Sequence, residues 1–496
     1  MTEVERLQKR IDELEAENAA LRKENAELSV LRQKIALLEG QIKILIEMLN
    51  KNSSNSSKPP SSDGLKKPAP KSLREKTGRK VGGQHGHKGS GFPLPDKVSS
   101  VVPCLPEACK TCLNADFCQV QPQRIVETRS VVDVQIDVKR IDYEQVERSC
   151  LLMKETIRGV FPPWVTSGKQ YGPGLLSLVM ALTTDGAVSI DRTHTLLKAL
   201  TGLSISTGTI ATLIKSFSKD ILPVWEKIRD ALLREDVVNC DETGLRVAGK
   251  LHWAHNVSTD KYTLQGVDEK RGEEAMRRIG FLPRYTGIIV HDGLSSYWQF
   301  QVEHGLCNAH ILRELKGIQE NYPEQSWAKE LSAALIRMKK ARERAIAAGK
   351  EALSYASVCR YRRIFLRIVG LGIAENPLED RKPGQRGKVR RSAPRRLADR
   401  LWSHVDEFLR FLSDWRVPFD NNQAERDLRP LKTKIKVSGC FRTALGAENF
   451  GRIQSFLSTA KKQGTNVLEA IRYALSGIPL AAIPSACSVH SMGYIL

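Results

Sequence analysis

The sequence predicts a multidomain protein of mixed α and α/β class: an N-terminal coiled coil, a small cysteine knuckle, a helical segment, and an α/β core interrupted by a helical insertion. Three observations carry that prediction. Apolar residues recur at three-four spacing through the first fifty positions, four cysteines cluster between Cys104 and Cys118, and two later apolar runs each end in a carboxylate. A chain of 496 residues is long enough for about two to four domains, each with its own core.

Val4, Leu7, Ile11, Leu14, Leu21 and Leu28 form one stripe, with Asn18 and Asn25 on it, and after a one-residue slip it resumes at Leu31, Ile35, Leu38, Ile42, Leu45 and Leu49. A repeat sustained this long predicts a coiled coil over residues 1–50. Buried Asn at the a position costs stability but fixes register, which favours a parallel homodimer through residues 3–49. A long helix packed on its own chain is the competing reading. Residues 51–90 change character: Asn52-Ser53-Ser54-Asn55-Ser56-Ser57-Lys58-Pro59-Pro60 offers nothing to bury, and Lys58 to Lys88 holds nine basic residues against two acidic ones. They read as a mobile cationic linker, either touching phosphate or simply solvated.

The whole chain carries 77 Lys and Arg against 56 Asp and Glu, a formal charge of +21, which favours a polyanionic partner over a merely soluble basic protein. No stretch reaches the roughly 18 apolar residues of a membrane span, and Met1-Thr2-Glu3-Val4-Glu5 does not read as a signal peptide, so a cytoplasmic protein without membrane contact is expected. The scattered remaining cysteines argue against a disulfide framework.

Within residues 91–150, Cys104, Cys109, Cys112 and Cys118 match the ligand number of a closed structural Zn2+ site; free buried thiols are the alternative, and His85 and His87 are further candidate ligands. The alternation from Thr128 to Gln145 suggests a strand beside this knuckle. Residues 151–235 read as helices over Gly174–Leu182, Ile190–Leu200 and Thr207–Ser216, with Ser206 as N-cap of the third. Helix, glycine-containing turn, helix is the layout of a helix-turn-helix, which would bring Ser206, Thr207, Thr209 and Lys215 to DNA. A plain helical bundle gives the same pattern.

The core is expected over residues 236–480. Val237 to Gly244 reads as a short buried strand ending at Asp241. A hairpin follows over Leu251–Val257 and Tyr262–Val267, then a helix over Glu269–Ile279, a strand over Thr286–Gly293 ending at Asp292, and Gly305–His310 leading into a helix. Three strands, a helix and two further strands with carboxylates at strand ends suggest a ribonuclease-H-like α/β layout, whose sites gather at the carboxyl ends of strands. Strand alternation sends Glu242 to the face opposite Asp241, so Asp241 is the chosen acid. The third acid is Glu425, on a helix that Asp420 would cap, sharing a face with Asn421 and Arg429, while Asp427 points elsewhere as a structural residue. Three clustered carboxylates repel unless divalent cations sit between them. Oxygen ligands select Mg2+ or Mn2+, and two such ions roughly 3.5–4 Å apart would serve in-line phosphoryl transfer. Three unrelated surface acids would be the bland reading.

His310 and Arg313, at helical spacing after Cys307, are candidates for the scissile phosphate, a satisfied core histidine being the alternative. The interval from Asp292 to Glu425 is long enough to imply an insertion at about 321–410. Its centre, Arg381 to Arg396, holds eight basic residues, among them Arg390 and Arg391, and no acid; Arg429, Lys432 and Lys434 extend a second basic strip past Glu425. Residues 481–496 form a C-terminal tail.

These motifs together resemble the insertion-sequence-66 family of DDE transposases. The likeness rests on the zipper, Asn55-Ser56-Ser57-Lys58-Pro59-Pro60-Ser61-Ser62-Asp63, Gly82-Gly83-Gln84 with Gly86-His87-Lys88-Gly89, and Gln170-Tyr171-Gly172-Pro173. It continues through Cys240-Asp241-Glu242-Thr243, His291-Asp292-Gly293, Cys307 with His310 and Arg313, and Asp420-Asn421-Asn422 through Glu425 to Arg429. The resemblance implies that Asp241, Asp292 and Glu425 are an acidic triad using magnesium. The activity it implies is cleavage and joining of double-stranded DNA at transposon ends and target, in a bacterial nucleoid setting, with accessory proteins of the same element. Cys150 stands alone where such proteins often carry a cysteine pair, and the stretch after Ile483 is uncharacteristic of the family. A DNA-binding regulator without chemistry is the other function considered; three clustered acids would serve it no purpose.

Overall fold

The computed structural model describes residues 3–52, 54–56, 94–104, 106–110, 112–113, 124–150, 155–378 and 391–476. The chain divides into two compact units, one of Met1–Ala69, Phe161–His194 and Ile205–Leu496, the other of Pro70–Val160 and Thr195–Ser204.

The opening helix, Glu3–Asn50, runs unbroken for 48 residues, so the slip in the heptad stripe does not interrupt it. At 1.5 Å per residue it is about 70 Å long. Its stripe residues, from Val4 and Leu7 to Leu45 and Leu49, are all exposed in the single chain. The linker departs from expectation at its start, because Asn55 and Ser56 are buried. Asn and Ser side chains close a turn on themselves there: Asn52 N–H donates to Asn55 Oδ1 (2.8 Å), and Ser54 N–H to Asn52 Oδ1 (2.8 Å). The turn rests on the Asn308–Asn321 helix, with Asn55 Nδ2 donating to Glu320 Oε2 at 2.7 Å. Gly317 lets the two backbones meet, since a Cβ at that position would run into the Asn55 carbonyl oxygen. Residues 57–93 lie outside the described residues.

In the second unit, β1 (Glu147–Cys150) and β2 (Glu155–Arg158) pair antiparallel, Glu147 opposite Arg158, and those two side chains form an ion pair. The strand expected over Thr128–Gln145 is absent: those residues are exposed and outside any strand. Their alternation is real, but a strand needs a partner for its backbone groups, and β1 pairs with β2 instead.

The first unit holds a five-stranded sheet ordered β5-β4-β3-β6-β7. Here β3 is Val237–Val247, β4 Lys250–Ser258, β5 Thr263–Asp268, β6 Ile288–His291 and β7 Glu303–Leu306. The first three are antiparallel neighbours, while β6 runs parallel to β3 and β7 parallel to β6. The helix between β5 and β6 is shorter than expected, Glu273–Ile279, because Lys270 and Arg271 belong to the loop that caps Asp268. One face packs Val238, Cys240 and Ile289 against Ile228, Leu232 and Phe281. The other packs Leu245, Val247 and Ala254 against Leu428, Leu431 and Phe450. The Ala444–Lys462 helix covers edge strand β5, whose Thr263 and Gln265 N–H groups donate to Thr459 Oγ1 (3.1 Å) and Ser455 Oγ (2.8 Å). A long helix thereby satisfies edge groups that would otherwise invite another strand.

Ahead of the sheet, the expected helices occur at Pro173–Met180, Ile190–Thr201 and Thr207–Asp220, with Ser206 Oγ accepting the Thr209 N–H as N-cap. The insertion is helical: Trp327–Ala347, Tyr355–Ala374, Ala393–Ser403 and Val405–Ser413 pack around Trp327, Phe365 and Phe411. Among the described residues no helix is long and apolar enough to cross a membrane.

Candidate active site

Sheet register builds the first half of the site. β3 and β6 pair as Val237 with Ile288, Val238 with Ile289 and Asn239 with Val290. Carried two residues past its end, the same register would bring Asp241 level with Asp292, and the Asp292 carboxylate is near enough to act on Asp241. Asp241 does not end its strand, as the sequence suggested; antiparallel pairing with β4 carries β3 on to Val247. What stops after Asn239 is the parallel pairing, so Asp241 lies where the two strands part. Alternation holds as expected: Val238, Cys240 and Glu242 share one face and Asp241 belongs to the other.

Burial, followed by the nearby Glu242 and Asp292 carboxylates, holds Asp241 well above the usual carboxylate range; Glu425 pushes the same way and Lys432 opposes. Glu242 is buried and raised for the same first reason, but it is partnered. Arg271 donates to its Oε1 from Nε (3.0 Å) and Nη2 (2.6 Å), and Tyr297 OH to its Oε2 (2.9 Å). Arg271 in turn lies over the Trp253 ring. Glu242 is therefore an internally neutralised group, and Asp241 keeps the open position.

Glu425 comes from the short helix Asn422–Asp427. Asn421, with no exposed surface, fastens that helix to the sheet. Its Oδ1 accepts from Asn239 Nδ2 (2.8 Å), its Nδ2 donates to the Cys240 carbonyl (2.7 Å), and its N–H reaches Cys307 Sγ (3.1 Å). Asn421, not Asp420, is the N-cap position; Asp420 Oδ1 accepts the Asn422 N–H at 3.2 Å. Glu425 Oε1 lies 3.3 Å from Arg313 Nη2 and 3.6 Å from His310 Nε2. Burial, with Arg313 alongside, holds His310 below its ordinary value against the opposing pull of Glu425. Asp427 is structural as expected, bonded to Lys462 Nζ at 2.7 Å.

The turn after Asp292 is also fixed. Gly293, at φ 96°, donates its N–H to His291 Nδ1 (3.1 Å), and Leu294 N–H donates to Asp292 Oδ1 (3.0 Å). His291 Nε2 lies 3.0 Å from His304 Nδ1. Burial holds both rings neutral, His291 at about 3 and His304 at about 4.

Residues 168–449 match the transposase IS66 family. The chain belongs to that family. The matched span takes in the helices ahead of β3, the whole sheet, the insertion and the helix of Glu425, so all three acids fall inside it. Residues 3–92 match a second family, DUF6444, of unknown function, and no curated protein matches the chain.

Other residues singled out in this IS66-family transposase fall as follows. The single helix expected from Asn421 to Arg429 stops at Asp427, and Arg429 opens a second one, Arg429–Ser438, with Pro430 in its first turn. Arg429 is exposed and Lys432 half-buried. Lys434 is not a surface contact: its ammonium donates to the carbonyls of Thr183 (3.3 Å) and Val188 (3.2 Å). Arg391 is exposed and ion-paired with Asp399 at 2.8 Å, and Arg390 lies outside the described residues. Cys104 and Cys112 are exposed free thiols; the side chain of Cys109 and all of Cys118 lie outside the described residues. Among the described residues no three His, Cys, Asp or Glu side chains gather closely enough to hold one metal ion in common.

The sequence reading missed the Asn421–Asn239 bond, the Arg271 and Tyr297 partners of Glu242, and the imidazole pair behind Asp292. A signal existed for the first. Asn239 interrupts Val237-Val238-Asn239-Cys240, and a polar residue in a buried strand must have a partner.

Proposed function

We propose that this chain binds insertion-sequence ends and catalyses metal-dependent strand cleavage and strand transfer through Asp241, Asp292 and Glu425, on a ribonuclease-H-like core. The observation that supports this reading is that the Asp292 and Glu425 carboxylates both act on Asp241, which follows two residues after the last β3–β6 pair. Asn421 adds to it by tying the Glu425 helix to the residue next to Asp241. The donor set is all oxygen, the chemistry that hard divalent cations take, and its members' charges oppose the ionisation of Asp241, while among the described residues the three carboxylates do not gather closely enough to hold one ion in common. When bound, Mg2+ or Mn2+ would supply charge neutralisation on both sides of an in-line displacement at phosphorus. In their absence burial and the neighbouring carboxylates favour the protonated form of Asp241.

The remaining parts serve delivery. Lys432, near enough to act on Asp241, and the exposed Arg429 would serve as phosphate contacts, with His310 and Arg313 at Glu425. The basic loop carrying Arg390 and Arg391 is a further DNA contact. The exposed zipper stripe makes a homodimer through residues 3–49, two chains for two element ends. Zn2+ on the four N-terminal cysteines and accessory proteins of the same element complete the proposal.

Incubating the full chain with a labelled element end, with magnesium or with chelator, tests it. The chain should nick the end only with magnesium, and Asp292→Asn should abolish cutting while sparing DNA binding. Magnesium-dependent cutting by that variant would refute the assignment. A catalytically silent DNA-binding regulator is the second reading, favoured by the Arg313 and His310 contacts that occupy Glu425. End binding by the natural chain without cutting under any divalent ion would select it.

A further inference from the structure

Behind Asp292 lies a run of rings that neither the acids nor the DNA contacts use. His404, at the start of the insertion's Val405–Ser413 helix, stacks on Trp298 with centroids 4.4 Å apart and planes 26° apart. Trp298 lies 4.2 Å from the His304 ring at 32°. His304 Nδ1 meets His291 Nε2 at 3.0 Å, and His291 Nδ1 meets the Gly293 N–H at 3.1 Å. Arg410, from the same insertion helix, donates to the His304 carbonyl at 2.8 Å. His291 is fully buried, so each of its two ring nitrogens must find its partner inside the protein.

The donors fix the order of protons. A backbone N–H can only donate, so His291 Nδ1 carries no hydrogen and the proton of this neutral ring sits on Nε2. That Nε2–H can point only at His304 Nδ1, which must in turn be bare. We infer that His304 is a positioning residue for Asp292: by accepting the Nε2 proton of His291 it fixes the tautomer whose Nδ1 anchors Gly293, the residue immediately after the acid. With the other tautomer, two N–H groups would face each other at Gly293. The turn would shift, and the Leu294 N–H that holds Asp292 Oδ1 would shift with it. Through Arg410 and the Trp298 stack, the insertion fixes His304 in turn, which gives that helical block a task at the site beyond carrying a basic loop. The bearing on metal affinity rests on the proposed role of Asp292, whereas the tautomer assignment stands without it.

Two variants separate the acceptor from the packing. His304→Phe keeps a flat ring against Trp298 and removes the acceptor; His304→Asn places an amide oxygen near the position of Nδ1. In full-length protein labelled with 15N-histidine, the natural chain and His304→Asn should show His291 protonated at Nε2. In His304→Phe the two tautomers should mix, and hydrogen exchange of the peptide containing Gly293 should rise. Calorimetric titration with Mn2+ alone should then show affinity reduced about 10–100-fold in His304→Phe and restored in His304→Asn, the range met when an outer-shell partner is lost. Protonation of His291 at Nδ1 in the natural chain would overturn the inference, as would an unchanged His291 tautomer in His304→Phe. If the tautomer and exchange move as expected but the natural chain binds no Mn2+, the inference stands and the metal-dependent function fails.

Discussion

Asn421→Ala is the sharpest test of how the third acid is held. The side chain has no exposed surface and makes two bonds, one from Asn239 Nδ2 and one to the Cys240 carbonyl. Each such bond is worth about 1 kcal/mol net, and stranding a buried donor costs about 1–3 kcal/mol. Asn239 is itself buried, and no other acceptor replaces Asn421 Oδ1 among the described residues, so the stranded amide dominates. The Cys240 carbonyl suffers less, because a carbonyl left short of one bond is tolerated better than a stranded N–H donor. The expected loss is about 2–4 kcal/mol, a large share of the roughly 5–15 kcal/mol that holds a domain folded. Urea denaturation of the metal-free chain reads it directly. The companion variant Asn239→Ala should cost less, and the double variant clearly less than the sum, because removing both partners leaves no stranded group. A loss below about 1 kcal/mol for Asn421→Ala, or strict additivity in the cycle, would show that the Glu425 helix is held by its apolar packing and not by this bond.

Two further predictions concern charge. The folded pKa of Asp241 is raised above its ordinary 3.8, so between those two values the folded chain binds more protons than the unfolded one. Stability of the metal-free protein therefore falls as pH climbs from about 4 through the raised value and does not recover above it. Asp241→Asn should flatten that slope and melt higher at pH 7 without metal, while Mg2+ should stabilise only the natural chain; a variant that melts no higher would contradict the repulsion argument. Lys434→Ala should cost about 1–3 kcal/mol by stranding the Thr183 and Val188 carbonyls while leaving the salt dependence of DNA binding unchanged. Arg429→Ala should do the reverse, changing stability by no more than about 0.5 kcal/mol and reducing the salt slope by about one. Interchanged results would return Lys434 to the DNA surface.

The parts of this molecule legible in its sequence are those governed by local periodicity. The three-four stripe gave one helix from Glu3 to Asn50, alternation gave β4 and β5 nearly to the residue, and Ser206 announced its helix. Failures came where a distant partner decides. Thr128–Gln145 alternates like a strand but has nothing to pair with, and Asp241 looked terminal because the length of β3 is set by β4, not by its own residues. Lys434 sits in a run of lysines at Lys432, Lys434 and Lys436, and only the fold turns its ammonium onto the carbonyls of Thr183 and Val188, remote in sequence. The Asn52–Ser56 turn was misread for the same reason: its seat is Gly317.

The three acids are held by forces of different stiffness, and this bears on how the proposed site would work. Asp241 lies within β3, held by its antiparallel pairing with β4, and Asp292 follows directly on β6, in a turn held by the Gly293 and Leu294 N–H groups with the ring network behind it. Glu425 is carried on a helix of six residues, too short to be stable alone, so its position depends on side chains: Asn421 at its base and Arg313 at its carboxylate. A cation held at the proposed site would compete with the Arg313 guanidinium for Glu425, and both partners of that ion pair are only partly buried, so the pair is screened and weakly held. The strong bonds are therefore on the scaffold and the weak one on the carboxylate itself. That is the arrangement a site needs if its third ligand is to be released to a metal without disturbing the first two.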